Sequence, residues 1–263
     1  MQYCRFLSVV GPQYGAVIPR DGELWIEHLL PAFEEDPTAQ PNAASFLPMP
    51  LAHARLLAPV APPKIVCIGR NYRDHAAELG NDVPKEPLLF LKAPSSVIGP
   101  GEAIQIPPQS KRVDFEGELA IVIGRRASKI GPGEDVRSYI RGYTIVNDVT
   151  ARDLQKSDGQ WSRAKGFDTF CPAGPIVTSD IDPVAGPGLS VTTTLNGETK
   201  QQGHTRDLIF PIPELLRYIT AAMTLLPGDL IPTGTPAGVA PMQAGDVVQV
   251  TVEGIGSLTN PVS

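Results

Sequence analysis

Two glutamates lead into an apolar run: Val113-Asp114-Phe115-Glu116-Gly117-Glu118 precedes Leu119-Ala120-Ile121-Val122-Ile123. The run has the composition of a buried strand, and the two-residue period of a strand puts Glu116 and Glu118 on one face of its leading end. Burying two like charges together is unfavourable unless a proton or a cation resolves the repulsion, and oxygen-only ligands favour a hard cation such as magnesium. A wet sheet edge with both carboxylates solvated has the same spacing. A second apolar run, Tyr143 to Val146, ends in Asn147-Asp148. Asp148 could simply cap a loop there. If the two runs are neighbouring strands, three carboxylates meet, and a partial protein shell completed by water is how magnesium is usually held. Zinc does not fit, because none of the four histidines is in ligand spacing with another or with a cysteine.

A different pair lies in Gly69-Arg70-Asn71-Tyr72-Arg73-Asp74-His75-Ala76-Ala77-Glu78. With Asp74 as N-cap, the spacing predicts a short helix on which His75 and Glu78 face the same side. Such a dyad can orient an imidazole or activate water, and an ordinary surface ion pair has the same spacing. Gly80, Asn81 and Pro84 follow, a texture shared by lids and plain loops. Motifs for other chemistries are missing: no phosphate-cradling loop ending in Gly-Lys, no dinucleotide glycine fingerprint, no nucleophile elbow, no His-Glu-x-x-His.

The elements that must carry these residues follow from the punctuation. Strand-like pieces at Arg5 to Val10 and Gly15 to Ile18, a helix around Leu24 to Leu30 and a connection at Asp36 to Asn42 suggest a small leading domain. After Pro59, Pro62 and Pro63 the texture changes to short β-branched runs: Lys64 to Ile68, Leu88 to Leu91, Leu119 to Ile123, Tyr143 to Val146, Pro175 to Thr178, Leu189 to Leu195 and Val247 to Val252. Only Asp74 to Leu79 and Pro213 to Met223 read as firmly helical. The expectation is an α+β chain that is mainly β, a mixed β-sandwich or roll rather than a doubly wound sheet, with a small N-terminal domain over 1–58 and a catalytic domain over 59–263.

Bulk properties narrow the class. A chain of 263 residues, 42% hydrophobic, can bury a substantial core. Its net charge of −6 gives no reason to expect a nucleic-acid partner. The three cysteines, Cys4, Cys67 and Cys171, are scattered and odd in number, which suits a reducing, cytoplasmic setting. Neither a signal peptide nor an apolar window of membrane-spanning length is present, so no membrane partner is expected. Proline and glycine make up about a fifth of the chain, against about 12% in ordinary proteins, so turns are many.

Five motifs in order carry a resemblance: Gly-Arg-Asn-Tyr-x-x-His-x-x-Glu at 69–78, Glu-Gly-Glu-Leu-Ala at 116–120, Asn-Asp-Val-Thr-Ala-Arg-Asp-Leu-Gln at 147–155, Arg-Ala-Lys-Gly-Phe-Asp around Lys165, and Thr-Gly-Thr-Pro at 233–236. Together they resemble the fumarylacetoacetate hydrolase family over roughly Lys64 to the end. The resemblance implies that family's β-roll fold, a magnesium or manganese ion on Glu116, Glu118 and Asp148, and a 2-oxo or 2,4-dioxo acid substrate that reacts through a metal-stabilised enolate. It further implies catalytic roles for His75, Glu78 and Lys165, substrate contacts from Arg70, Tyr72, Arg152, Gln155 and Thr235, and a homodimer. Hydrolytic carbon–carbon cleavage or decarboxylation is the first expectation, because the His75–Glu78 pair can handle water. Isomerisation or tautomerisation is the alternative, and a non-catalytic metal- or acid-binding homologue is the alternative of another class.

Overall fold

The strand Gly117–Ile123 is buried along its whole length, as an unbroken apolar run requires when both faces of a sheet are covered. It pairs antiparallel with Ile140–Asn147 on one side and Leu230–Pro232 on the other. The computed structural model describes the chain from Met1 to Ser263 apart from Ala44, Leu79, Asn81 and Ala185. Among those residues the central strands belong to a twelve-stranded sheet in the order Met49–Pro50, Glu23–Leu30, Gly11–Arg20, Gln2–Ser8, Cys171–Thr178, Ile140–Asn147, Gly117–Ile123, Leu230–Pro232, Ile65–Gly69, Leu88–Lys92. The short strands Leu56–Leu57 and Val97–Ile98 pair with Gln2–Ser8 and Cys171–Thr178 off this path. A four-stranded sheet, in the order Glu198–His204, Ser190–Leu195, Val247–Val252, Gly256–Pro261, and a three-stranded one built on Val113–Asp114 complete an architecture that is mainly β.

Strand alternation decides what each face does. Leu119, Ile121 and Ile123 pack with Val191, Val250, Val252 and Leu258 of the four-stranded sheet. Ala120 and Val122 face the other way, towards Ile65, Cys67, Val146 and Cys171. The same period places Glu116 and Glu118 on the side of Ala120 and Gly117 on the side of Leu119. Gly117 has to be small: a Cβ there would stand 2.1 Å from Thr193 Oγ1 and 2.8 Å from Val250 Cγ1.

Four α-helices are described: α1 (Arg73–Glu78), α2 (Arg152–Asp158), α3 (Ser162–Gly166) and α4 (Ile212–Ala222). Helix α4 matches the expected Pro213 to Met223, and it buries Ile212, Leu215, Leu216 and Ile219 at helical spacing. Helix α1 matches the second expected helix, whose last residue, Leu79, lies outside the described residues, as does Asn81 beyond it. Asp74 is not its N-cap. It sits inside the first turn, and the Tyr72 carbonyl accepts the Ala76 N–H at 3.1 Å. Helices α2 and α3 were not expected, for reasons that become clear at the site.

The helix expected around Leu24 to Leu30 is instead the strand Glu23–Leu30, antiparallel to Gly11–Arg20. Asp21 and Gly22, with φ of 50° and 86°, form the two-residue turn that joins them, a conformation Asp-Gly favours between hairpin strands. The turn overrides the helical look of Leu24, Leu29 and Leu30. The Asp36 to Asn42 connection is anchored by Asp36, buried and accepting from Arg5 Nε at 2.7 Å and from Tyr14 OH at 2.9 Å. All three cysteines are buried and free. No helix among the described residues is long and apolar enough to cross a membrane.

Gly117→Ala tests the sheet-to-sheet packing. Forcing one methyl into this contact should cost about 1–3 kcal/mol, read as a lower midpoint in chemical denaturation with an unchanged slope.

Candidate active site

Glu116 and Asp148 come from adjacent strands, and backbone bonds tie those strands together at the site. Asp148 N–H donates to the Glu116 carbonyl at 2.8 Å, and Glu116 N–H donates to Asn147 Oδ1 at 2.9 Å. Asn147 therefore takes the capping role, which frees the Asp148 carboxylate. Glu116, Glu118 and Asp148 each bring an oxygen within 4.8 Å of the others, and their exposures are 4%, 1% and 1%. The wet sheet edge is thereby excluded.

Three cations surround them. Lys165 Nζ donates to Glu116 Oε2 at 2.8 Å and Asp148 Oδ2 at 2.5 Å. Lys92 Nζ donates to Asp148 Oδ1 at 2.6 Å and the Val149 carbonyl at 3.2 Å. Arg152 reaches Glu116 Oε1 at 2.6 Å, Asp114 Oδ2 at 2.9 Å and Gln155 Oε1 at 2.7 Å. It does not pair with Asp153, which instead accepts from Ser110 Oγ at 2.6 Å and Lys111 N–H at 2.9 Å. Helices α2 and α3 exist to bring Arg152 and Lys165 here: α2 buries none of its side chains fully, and α3 buries only Ala164 and Lys165. An apolar-periodicity reading has nothing to detect in them.

Charge is distributed unevenly over the acids. Burial alone would raise the Glu116 carboxyl, but Lys165 and Arg152 outweigh it and hold that group well below the usual range. Glu118 is pushed far up by burial and then by the charges of Asp148 and Glu116, and it accepts only the Gly234 N–H, at 2.7 Å. Burial would lower the Lys165 ammonium, yet Asp148 and Glu116 prevail and keep it protonated. An all-oxygen, fully buried set in which one carboxylate is opposed by the other two fits a hard divalent cation.

A cavity of about 50 Å³ opens onto this cluster, lined by the three acids together with Arg70, His75, Arg152, Gln155, Lys165 and Thr235, and walled by Ile68, Gly69, Phe90 and Trp161. Glu78 is one step removed. Its Oε2 lies 3.4 Å from His75 Nδ1, and its carboxylate accepts the Gly238 N–H at 3.1 and 3.2 Å. Tyr72 is not brought to the cavity: it is buried at the start of α1, bridged to Leu208. His75 is 4% exposed; burial lowers its pKa, against the opposing pull of Glu116 and Glu78, which favours a neutral imidazole.

The Thr-Gly-Thr-Pro turn is held by residues that sequence reasoning missed. Thr235 Oγ1 donates to the Gly117 carbonyl at 2.9 Å and accepts from Gln201 Nε2 at 2.7 Å, while Gln201 Oε1 accepts the Gly117 N–H at 3.0 Å. Asn71 joins this turn to the first motif by donating to the Thr233 and Phe210 carbonyls at 2.8 and 3.1 Å. Nothing in the spacing announces Gln201. Lys92 did leave a signal, a lysine closing the apolar strand Leu88–Lys92 on the same face as Phe90.

A family model described as fumarylacetoacetate (FAA) hydrolase C-terminal matches residues 64–263. The chain belongs to the fumarylacetoacetate hydrolase family. Within it, a Mycobacterium tuberculosis protein is 49% identical over 260 residues, 98% of this chain and 97% of that one. Oxaloacetate tautomerase YisK of Bacillus subtilis is 39% identical over 254 residues, 92% of this chain and 84% of its own. Among solved family structures, 2-hydroxyhepta-2,4-diene-1,7-dioate isomerase from Mycobacterium marinum superposes with a TM-score of 0.84 at 44% identity, covering 100% of this chain and 98% of that one.

Glu118→Gln separates the metal site from the fold. At a magnesium concentration a hundredfold above the dissociation constant, the native protein should gain about 2.7 kcal/mol of stability. A variant binding a hundredfold more weakly should gain only about 0.4 kcal/mol there, while folding about as well as the native protein without metal, because burial and the neighbouring acids already keep the Glu118 carboxyl from ionising. Denaturation with and without magnesium reads both; an undiminished magnesium effect in the variant would remove Glu118 from the site.

Proposed function

We propose that this chain is a divalent-metal-dependent enzyme that interconverts the keto and enol forms of a small 2-oxo acid. The observation that carries the reading is a buried imidazole in the same small cavity as three clustered carboxylates and a protonated lysine. Similarity to an oxaloacetate tautomerase and to a hydroxyheptadienedioate isomerase supports moving the preference from carbon–carbon cleavage to proton transfer.

The roles follow from the donors each residue has to spare. Glu116, Glu118 and Asp148 would hold magnesium or manganese, which supplies Lewis-acid stabilisation of negative charge on a substrate oxygen. Lys165 has three N–H groups; Glu116 and Asp148 take two, leaving one for the substrate. Arg152 keeps Glu116 ionised and, with Gln155, borders the carboxylate end. Glu78 steadies His75 through Nδ1, so that Nε2 can take a proton from carbon 3 of the keto acid and hand it to the 2-oxygen to give the enol, with the reverse transfer restoring the keto form. Thr235 shapes the wall and offers its backbone.

The second reading, hydrolytic or decarboxylating cleavage, is favoured by one feature, the His75–Glu78 pair, which is equally placed to activate water. For the remaining organisation we propose a leading unit over 1–58 on a catalytic unit over 59–263, a boundary supported by the family match beginning at residue 64. We also propose a homodimer, checked by light scattering at micromolar concentrations, where a monomer mass throughout would refute it.

Loss of enol absorbance from freshly dissolved oxaloacetate, followed with magnesium alone and with added protein, tests the proposal directly. The protein should accelerate it, and His75→Ala should cut the protein-dependent rate by about 10²–10⁴ while keeping the magnesium-dependent rise in melting temperature. Acetylpyruvate cleavage measured in parallel decides between the readings: cleavage lost with tautomerisation untouched would favour the second.

A further inference from the structure

We infer that Arg70 selects a dicarboxylic 2-oxo acid by binding the carboxylate at the end of the substrate remote from Glu116, Glu118 and Asp148. The inference rests on the 2-oxo acid chemistry proposed above and adds the substrate class.

Charge commitment is the first ground. Lys92, Lys165 and Arg152 are each spent on Asp148, Glu116 or Asp114. Arg70 lines the same cavity, and among the described residues no carboxylate pairs with it. Its guanidinium lies over the ring of Trp161 instead, 5.9 Å from the guanidinium carbon to the centroid. Asp114, Glu116 and Asp148 are thus each met by a cation, Asp114 by Arg112 as well as by Arg152, and of the cations lining the cavity Arg70 is the one left for a substrate carboxylate.

Geometry is the second ground. Arg70 has φ of 55°, a left-handed backbone that a long L side chain adopts only when its surroundings impose it. The imposition is visible next door. Asn71 is fully buried, and its side chain is locked to the Phe210 carbonyl, the Thr233 carbonyl and the Phe210 N–H. On the other side Gly69 leaves room for Trp161, whose ring carbon would lie 2.9 Å from a Cβ at that position. Trp161 in turn meets Phe90 edge-on at 5.2 Å, and Lys165 Nζ lies 4.8 Å from the centre of the Phe90 ring. Two aromatic rings thus form a wall with one cation at its deep end and another at its opposite end. A short 2-oxo diacid carries a carboxylate at each end, and a guanidinium can grip the outer one with two parallel N–H bonds.

Oxaloacetate and pyruvate differ only in that outer carboxylate, so their ratio reads the contact. Enolisation of each is followed with magnesium present, oxaloacetate by absorbance and pyruvate by deuterium exchange at its methyl group. In Arg70→Met the kcat/KM ratio of oxaloacetate to pyruvate should fall roughly ten- to a hundredfold, the size of one lost charge-assisted contact, with the loss in KM rather than kcat. Arg70→Lys should recover part of the ratio. Arg70→Gly, which relaxes the backbone and removes the charge, should lose as much as Arg70→Met. An unchanged ratio in Arg70→Met, or a ratio restored by Arg70→Gly, would overturn the inference. Calorimetric binding of malate against lactate makes the same comparison without turnover. A native protein inert on both 2-oxo acids would sink the catalytic reading, and Arg70 would then stand or fall on whether Arg70→Met loses the preference for malate.

Discussion

Four carboxylates buried within one cluster set the terms for the rest of this molecule. Ionised groups out of water are tolerated only when paired and hydrogen-bonded, and removing one partner of a buried pair costs about 3–5 kcal/mol. Against a total stability of about 5–15 kcal/mol, one lost partner is a large fraction. The chain answers with cations from separate segments: Arg112 beside Asp114, Lys92 from the end of a strand, Arg152 from α2 and Lys165 from α3. The last two elements are short and contribute little else to the core. Their reason for existing is electrostatic, and Glu118 is the acid of the cluster with no ion pair among the described residues, the place a divalent ion would fill under the proposed function.

A second layer of the design is polar but uncharged. Asn71, Asn147 and Gln201 are buried, and each bonds to main chain on an element distant in sequence. They satisfy backbone groups where strands end and sheet pairing stops, as buried amide and carbonyl groups require. In doing so they set the distances between the first motif, the Glu-Gly-Glu segment and the Thr-Gly-Thr-Pro turn. The glycine of that turn is permissive for the same purpose: Gly234, at φ of 107°, would carry a Cβ only 2.7 Å from Asn71 Cβ.

Supports of unequal stiffness carry the two halves of the chemistry. Glu118 stands on a central strand of the main sheet, and Glu116 and Asp148 directly flank the ends of two such strands, whereas His75 stands on a helix of six residues. Helices of that length owe their stability to tertiary contacts rather than to their own hydrogen bonds. For α1 those contacts are the buried Ala76 and the Glu78 link to Gly238. Under the function proposed above, groups that would hold an ion gain from rigidity, and a group that would transfer a proton gains from being able to follow its substrate.

The sequence by itself marked the two glutamates as a pair that needs company and, through strand period, showed which way they point. Glu116 and Glu118 on one face and Gly117 on the other could be read from alternation alone, because that period is a local property of the backbone. The mainly β character, α4 and the approximate place of α1 were legible for the same reason. Tertiary structure decided what local pattern cannot encode. Neighbouring strands turned Asp148 from a loop residue into a member of the cluster, and a two-residue Asp-Gly turn made Leu24 to Leu30 a strand by giving it a partner. Helices α2 and α3, polar and short, owe their form to buried carboxylates contributed by segments that precede them by tens of residues. Gln201, in the middle of its strand, was missed because a single polar residue has no meaning until the groups opposite it are known, and the lysine that closes the apolar strand Leu88–Lys92 hints only that an acid must face it. Charge pairing acts across space, and only the folded chain says which charges are neighbours.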